Sequence, residues 1–281
     1  MVSNQSDTFD IGGELTVNRL GFGAMRITGD GIIGEPEDVA NAKEVLQTAV
    51  ELGVNFIDTA DSYGPGTSER LIREALTPYA DDLVIATKGG LLRNRETDWK
   101  PCGDPDYLRN AHLTSLDRLG LDAIDLYQFH RPDPDTPFED SVETLAELKD
   151  EGVIRHVGLS NVSVEQLETA RELVDIATVQ NRYSIKERES EDVLSVCEDE
   201  DIGFIPWFPL GAGDLGKTGE MLDEIAATHS ATRYQIALAW LLQHSPVMLP
   251  IPGTSSLTHL EENVAASGIT LAADEVARLD V

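Results

Sequence analysis

The stretch NFIDTADSYG, Asn55–Gly64, sets an apolar run against a carboxylate, Asp58, and then a tyrosine, Tyr63, five residues further on. A short apolar run that stops at an acid and a loop reads as a strand buried on both faces, with polar chemistry only at its C-terminal end. Runs of the same kind lie on either side of it: RLGFG from Arg19, LVIA from Leu83, LYQF from Leu126 and IRHVGLS from Ile154. ATVQN from Ala177, GFIPW from Gly203 and VMLPI from Val247 bring the number, with VNFI from Val54, to eight. Between them lie stretches of helical period, such as Val39, Ala42, Leu46 and Ala49, or Phe138, Val142, Leu145 and Leu148. Eight βα units in a chain of 281 residues predict a (β/α)8 TIM barrel. The same alternation laid flat would give a doubly wound sheet, the main competitor. Upstream, TFDIGGELTV turns at Gly12–Gly13 and reads as an N-terminal β-hairpin that plugs the bottom of the barrel. No linker interrupts the pattern, so residues 1–281 read as a single domain.

The residue that follows each strand carries the functional reading. Asp58 ends the second, Lys88 the third and His130 the fourth. Ser160 and Asn161 end the fifth, Gln180 and Asn181 the sixth, and Trp207 the seventh. In a parallel barrel all these ends open on one face. Taken singly, Asp58 reads as a turn cap, Lys88 as a solvated cation and His130 as a satisfied polar residue. Three such residues on one face, with Tyr63 as a fourth, point to proton chemistry. A phenol titrates near pH ~10 and is a poor acid or base alone at neutral pH. Lys88 beside it is expected to lower that value, with Asp58 holding the ammonium and His130 addressing a substrate oxygen.

Charge narrows the choice. Asp and Glu number 51 against 21 Lys and Arg, a net charge of −30, which excludes nucleic-acid binding. The acids are dispersed and lysines number six. That surface resembles those of proteins from halophilic organisms, the alternative being an ordinary acidic cytosolic protein. Cys102 and Cys197 are isolated, so neither a metal site nor a disulfide framework is expected. No run reaches the length of a membrane span and MVSNQSDTFD has no apolar signal segment, so the expectation is a soluble, cytoplasmic protein away from membranes.

Over nearly its whole length the chain resembles the aldo-keto reductases. The motifs that carry the resemblance are LGFGAMR after the hairpin, NFIDTADSYG, ATKGG, LGLDAIDLYQFHRPD, GVIRHVGLSN, VQNRYS and IPGTSSLTHLEENVAA. The resemblance implies the barrel and a catalytic tetrad of Asp58, Tyr63, Lys88 and His130. Its implied activity is hydride transfer between a nicotinamide cofactor and a small-molecule carbonyl, Tyr63 giving the proton. It places Ser160, Asn161 and Gln180 at the carboxamide, with Trp207 stacked on the ring where relatives commonly have tyrosine. Leu210 and Gly211 begin the loop over the pyrophosphate, and Gly253, Thr254, Ser255, Ser256, His259, Glu262 and Asn263 match the adenosine-phosphate region. Many NADPH users carry Lys and Arg where this chain has Gly253 and His259. The GTSS segment nevertheless favours NADP(H), with NAD(H) possible.

GAGDLG, Gly211–Gly216, fits a G-x-G-x-x-G dinucleotide pattern but follows a late, proline-rich strand instead of opening a βαβ unit. The NVS string at Asn161 reads as a cofactor contact ahead of a glycosylation acceptor. For the substrate, Phe22, Met25 and Trp99 suggest an apolar pocket for a small aldehyde or ketone without strong charge. Arg93, Arg95 and Arg131 read as surface arginines that could add affinity for an anionic group. Two further readings are an alcohol or sugar dehydrogenase working in reverse, and a slow NADPH-binding sensory or channel-associated subunit. A monomer is the default.

Overall fold

The structure, a computed structural model, describes residues 8–94, 96, 98–211 and 219–280. It begins with the antiparallel hairpin of β1 (Thr8–Ile11) and β2 (Leu15–Asn18). Gly12 and Gly13 turn it with φ of 62° and 74°, a region closed to most side chains. Phe9, Ile11, Leu15 and Val17 point inward and join the main apolar core. Gly12 sits so close to the base of a later strand that a Cβ there would lie 2.2 Å from the His156 ring. The hairpin therefore closes the N-terminal end of the barrel.

The barrel strands follow in order: β3 (Phe22–Gly23), β4 (Phe56–Asp58) and β5 (Val84–Gly89). A small antiparallel pair, β6 (Leu91–Arg93) and β7 (Trp99–Pro101), rises from the loop after β5. Then come β8 (Ile124–Phe129), β9 (Ile154–Ser160), β10 (Ile176–Arg182) and β11 (Gly203–Trp207). Seven of these form one parallel sheet in the order β11-β10-β9-β8-β5-β4-β3. The expected eighth strand, VMLPI, is an extended segment with a single parallel bridge, Phe204 to Met248. It still closes the barrel. Phe204 N donates to Val247 O at 2.8 Å and Leu249 N to Phe204 O at 2.7 Å, while Gly21 N donates to Pro250 O at 2.9 Å. Pro246, Pro250 and Pro252 have no N–H to give, which is why no regular ladder forms there.

Ten helices ring the described barrel: α1 (Val39–Glu51), α2 (Thr67–Leu76), α3 (Pro105–Leu119), α4 (Phe138–Asp150), α5 (Val164–Arg171), α6 (Glu191–Asp199), α7 (Gly219–His229), α8 (Arg233–His244), α9 (Leu257–Ala265) and α10 (Ala273–Leu279). Their starts are written in the sequence. Asp38, Asp104, Ser163, Thr232 and Ser256 each accept a backbone N–H as N-caps. The helical faces expected from period bury Ala42, Leu46 and Ala49 in α1 and Val142, Leu145 and Leu148 in α4. One cluster fills the barrel and its later helices, and a second packs α1 and α2 against β3 and β4. No helix among the described residues is long and apolar enough to cross a membrane.

Candidate active site

Strand register brings the strand-end residues together. Asp58 pairs across to Ala86, two residues before Lys88; Lys88 pairs with Gln128, two residues before His130. Gln128 lies opposite Gly158, and a Cβ on Gly158 would meet the Gln128 side chain at 2.8 Å. That glycine makes room for a polar side chain inside the barrel.

Lys88 is fully buried and its three ammonium hydrogens are all addressed. Nζ lies 2.6 Å from Asp58 Oδ1, 2.7 Å from Thr59 O and 3.5 Å from the Tyr63 hydroxyl. The other Asp58 oxygen accepts from Gln128 Nε2 and Gln180 Nε2, each at 2.9 Å. A buried ion pair is tolerable only when its remaining lone pairs are satisfied in this way. Gln128 was not singled out by sequence: a glutamine inside LYQF gives no strand-end signal. The signal that could have found it is a lone amide within the otherwise apolar LYQF.

Burial sets the protonation states. The Tyr63 phenol is pushed above its ordinary value by burial, with Lys88 pulling the other way and Asp58 adding to the rise. This corrects the expectation that Lys88 would bring the net value down. Burial also pulls on the Lys88 ammonium, but Asp58 and Tyr63 outweigh it and hold the ammonium above its usual range. His130 is driven well below its ordinary value by burial, then by Lys88 and Arg131, so it is neutral near pH 7. Its Nδ1 lies 3.4 Å from Ser62 Oγ, a neighbour sequence reading overlooked. The rings of Tyr63 and His130 meet edge to face at 5.9 Å, and Trp99 meets Tyr63 in the same manner at 6.4 Å.

Asp58, Tyr63, Trp99 and His130 line a cleft of about 650 Å³. Ser160, Asn161, Gln180 and Trp207 line it beside them. Asn161 holds a left-handed conformation, φ 60°, from which Nδ2 donates to His130 O at 3.1 Å and Ser160 Oγ at 2.9 Å. Its Oδ1 accepts from Trp207 Nε1 at 3.1 Å, which fixes the indole. Asn181 instead clamps the backbone of Val162. Leu210, Gly253, Thr254, His259, Glu262 and Asn263 line the cleft as well. Ser255 and Ser256 are not among the lining residues: Ser256 caps α9, and the Ser255 carbonyl accepts from Asn41. Gly211 is described but does not line the cleft, and residues 212–218, with most of GAGDLG, lie outside the described residues, as does Arg95.

At the substrate end Met25 and Trp99 line the cleft, joined by Leu91 and Phe208. Phe22 does not. It is fully buried in the second core cluster, and its neighbour Gly23 faces the cleft instead. Successive strand residues point to opposite faces, so a one-residue shift exchanges core for site. Arg93 stacks on Trp99 at 3.5 Å and donates to the carbonyls of Gly31 and Ile32, tying the β6–β7 pair to the loop before α1.

The cleft suits an elongated polar molecule with an aromatic end. A fixed indole and polar side chains lie beside Tyr63 and His130, and Arg26 and His259 of the N-terminal turn of α9 also line the cleft. A nicotinamide dinucleotide fits these features. The Aldo/keto reductase family profile matches residues 19–281. An uncharacterised oxidoreductase of Schizosaccharomyces pombe is 51% identical over 99% of this chain and 90% of its own. Pyridoxine 4-dehydrogenase of Escherichia coli is 43% identical over 98% of each chain. The crystal structure of an aldo-keto reductase from Klebsiella pneumoniae in complex with NADPH superposes with a TM-score of 0.81 at 28% identity, covering 100% of this chain and 95% of that one. A closed parallel barrel, a buried Asp–Lys pair beneath a tyrosine and a profile match over almost the full length lead to one assignment: the chain is an NAD(P)H-dependent oxidoreductase of the aldo/keto reductase family.

Proposed function

We propose that the chain reduces an aldehyde or ketone to an alcohol with NADPH, using Tyr63 as the proton donor. The observation that carries this reading is the saturated Lys88, held between Asp58 and the Tyr63 hydroxyl with neutral His130 alongside. A bound nicotinamide supplies the hydride to the carbonyl carbon. The chain's own residues do the rest. Neutral His130, with Nδ1 toward Ser62, presents Nε2–H to the carbonyl oxygen. Tyr63, protonated at neutral pH, gives that oxygen its proton, and the phenolate left behind is stabilised by Lys88. Asp58 keeps the ammonium charged and aimed, itself held by Gln128 and Gln180.

NADPH is favoured over NADH on two grounds. The Klebsiella relative was solved with NADPH. Arg26, whose side chain lies against Gly253, offers a cation where Gly253 and His259 do not. The name of the Escherichia coli relative makes pyridoxine and its aldehyde the first couple to test, in both directions.

The test is NADPH and NADH oxidation with a panel of aldehydes that includes pyridoxal, comparing the wild type with Tyr63→Phe. The ring is kept and only the proton donor goes, so turnover is expected to fall by about 10²-fold or more with cofactor binding retained. Comparable turnover in the variant sinks the assignment.

A further inference from the structure

We propose that Arg131 makes this enzyme selective for carbonyl substrates carrying an oxyanion group, a carboxylate or a phosphate. The inference rests on the reductase reading above and adds the substrate class. In a chain with 51 acids and 21 basic residues, a cation without a partner is uncommon. Twelve of the described arginines donate to a carboxylate or a backbone carbonyl. Of the described arginines, only the side chains of Arg26 and Arg131 make neither a hydrogen bond nor an ion pair, and both line the cleft. Arg26 lies against Gly253, whereas Arg131 directly follows His130 at the end of β8.

The nearest acid in sequence is not available to Arg131. Asp133 is turned into its own loop, accepting from Gly103 N at 2.8 Å, Asp135 N at 3.0 Å and Thr136 Oγ1 at 3.1 Å. The walls around the substrate end, Met25, Leu91, Trp99 and Phe208, carry no charge. A planar apolar body fits between them, and the Arg131 guanidinium offers a forked donor for two oxygens. The molecule's net charge of −30 repels anions at long range. In ~1 M salt that field is screened within ~3 Å, whereas a guanidinium–oxyanion contact persists. Selectivity for the anion therefore has a local source.

The experiment measures kcat/KM in 1 M KCl for 4-carboxybenzaldehyde against 4-methylbenzaldehyde, and for glyceraldehyde 3-phosphate against glyceraldehyde. Wild type is compared with Arg131→Leu and Arg131→Lys. The ratio within each pair cancels any effect on His130 that both substrates share. The expected result is a ratio that falls about tenfold in Arg131→Leu, chiefly through KM, and partly survives in Arg131→Lys. The benzaldehyde pair falling alone identifies a carboxylate, the glyceraldehyde pair alone a phosphate. Unchanged ratios in both pairs overturn the proposal. Benzoate binding, followed by quenching of tryptophan fluorescence without turnover, separates the two readings. If no aldehyde is reduced, yet benzoate binds to wild type and not to Arg131→Leu, the reductase reading fails and the anion site stands. If benzoate binds both equally, the anion site fails.

Discussion

Asp61 shows how far a residue's role can depend on what surrounds it. In the sequence it is one acid among many, four residues after the middle of a strand. In the fold it is buried, with Tyr107 donating to Oδ2 at 3.1 Å and Oδ1 left without a partner among the described residues. Burial, with Glu69 adding repulsion, pushes its carboxyl up to about 7 against weaker help from Tyr107 and Arg118. The unfolded chain gives up this proton near pH ~3.9, so between there and about 7 the native state binds more protons. Stability is therefore lost as pH rises through that window. Asp61→Asn retains an acceptor for Tyr107 and has no charge to bury. Its stability relative to the wild type is expected to improve between pH 5 and pH 8 by about 2–3 kcal/mol, read from urea unfolding at each pH. A constant difference across that range would place the Asp61 titration elsewhere. The convergence of Asp58, Tyr63, Lys88 and His130 was legible because each ends an apolar run or lies just beyond one. Their protonation states were not, because burial decides them and Tyr63 moves opposite to the direction its cationic neighbour suggests.

Among the elements, legibility followed pattern length. Long apolar runs such as Ile154–Ser160 and the two amphipathic helices read from Val39 and Phe138 matched their expected places. The β6–β7 pair, three residues a strand, had no period to read. The last strand was expected as regular and is held by one bridge, since its prolines remove donors. At this closure lies a constraint on cofactor choice. A Cβ on Gly253 would lie 2.4 Å from Gly23 O, and one on Gly23 would lie 2.7 Å from Ile251 O. Both contacts are to backbone, which cannot rotate aside as a side chain can. The glycine that replaces the family's lysine thus follows from the close approach of β3 to residues 247–253. Gly253→Lys is expected to separate these segments, lower the melting temperature by several degrees and raise KM for NADPH. Overpacking of this kind costs about 1–3 kcal/mol. A lower KM with an unchanged melting temperature would show that the closure has slack and that Arg26 is not the sole cation serving that end.

At the scale of the whole molecule the dominant quantity is charge. Ion pairs decorate the surface, among them Lys43–Glu74 at 2.6 Å and Arg155–Asp125 at 3.0 Å, yet 51 acids against 21 bases leave 30 negative charges uncompensated. Exposed pairs contribute about 0–1 kcal/mol each, and salt weakens them. The unpaired acids repel one another over longer distances, which salt screens more completely: the Debye length falls from ~10 Å at 0.1 M to ~3 Å at 1 M. A contact near 3 Å keeps much of its attraction at that length, whereas charges spaced by 8–10 Å, as order-of-magnitude surface separations, keep little of their repulsion. The balance favours salt as a stabiliser, in keeping with the halophile-like surface proposed from composition. Raising KCl from 0.1 M to 1 M is expected to lift the melting temperature by about 5 °C, equivalent to about 3 kcal/mol for a chain of this size. Sucrose also stabilises, by exclusion from the surface. It carries no ions, so an equal gain in sucrose would remove screening as the cause. A temperature that stays flat or falls with KCl would mean that the ion pairs outweigh the repulsion, and the reading of the acidic surface as an adaptation to salt would fall with it.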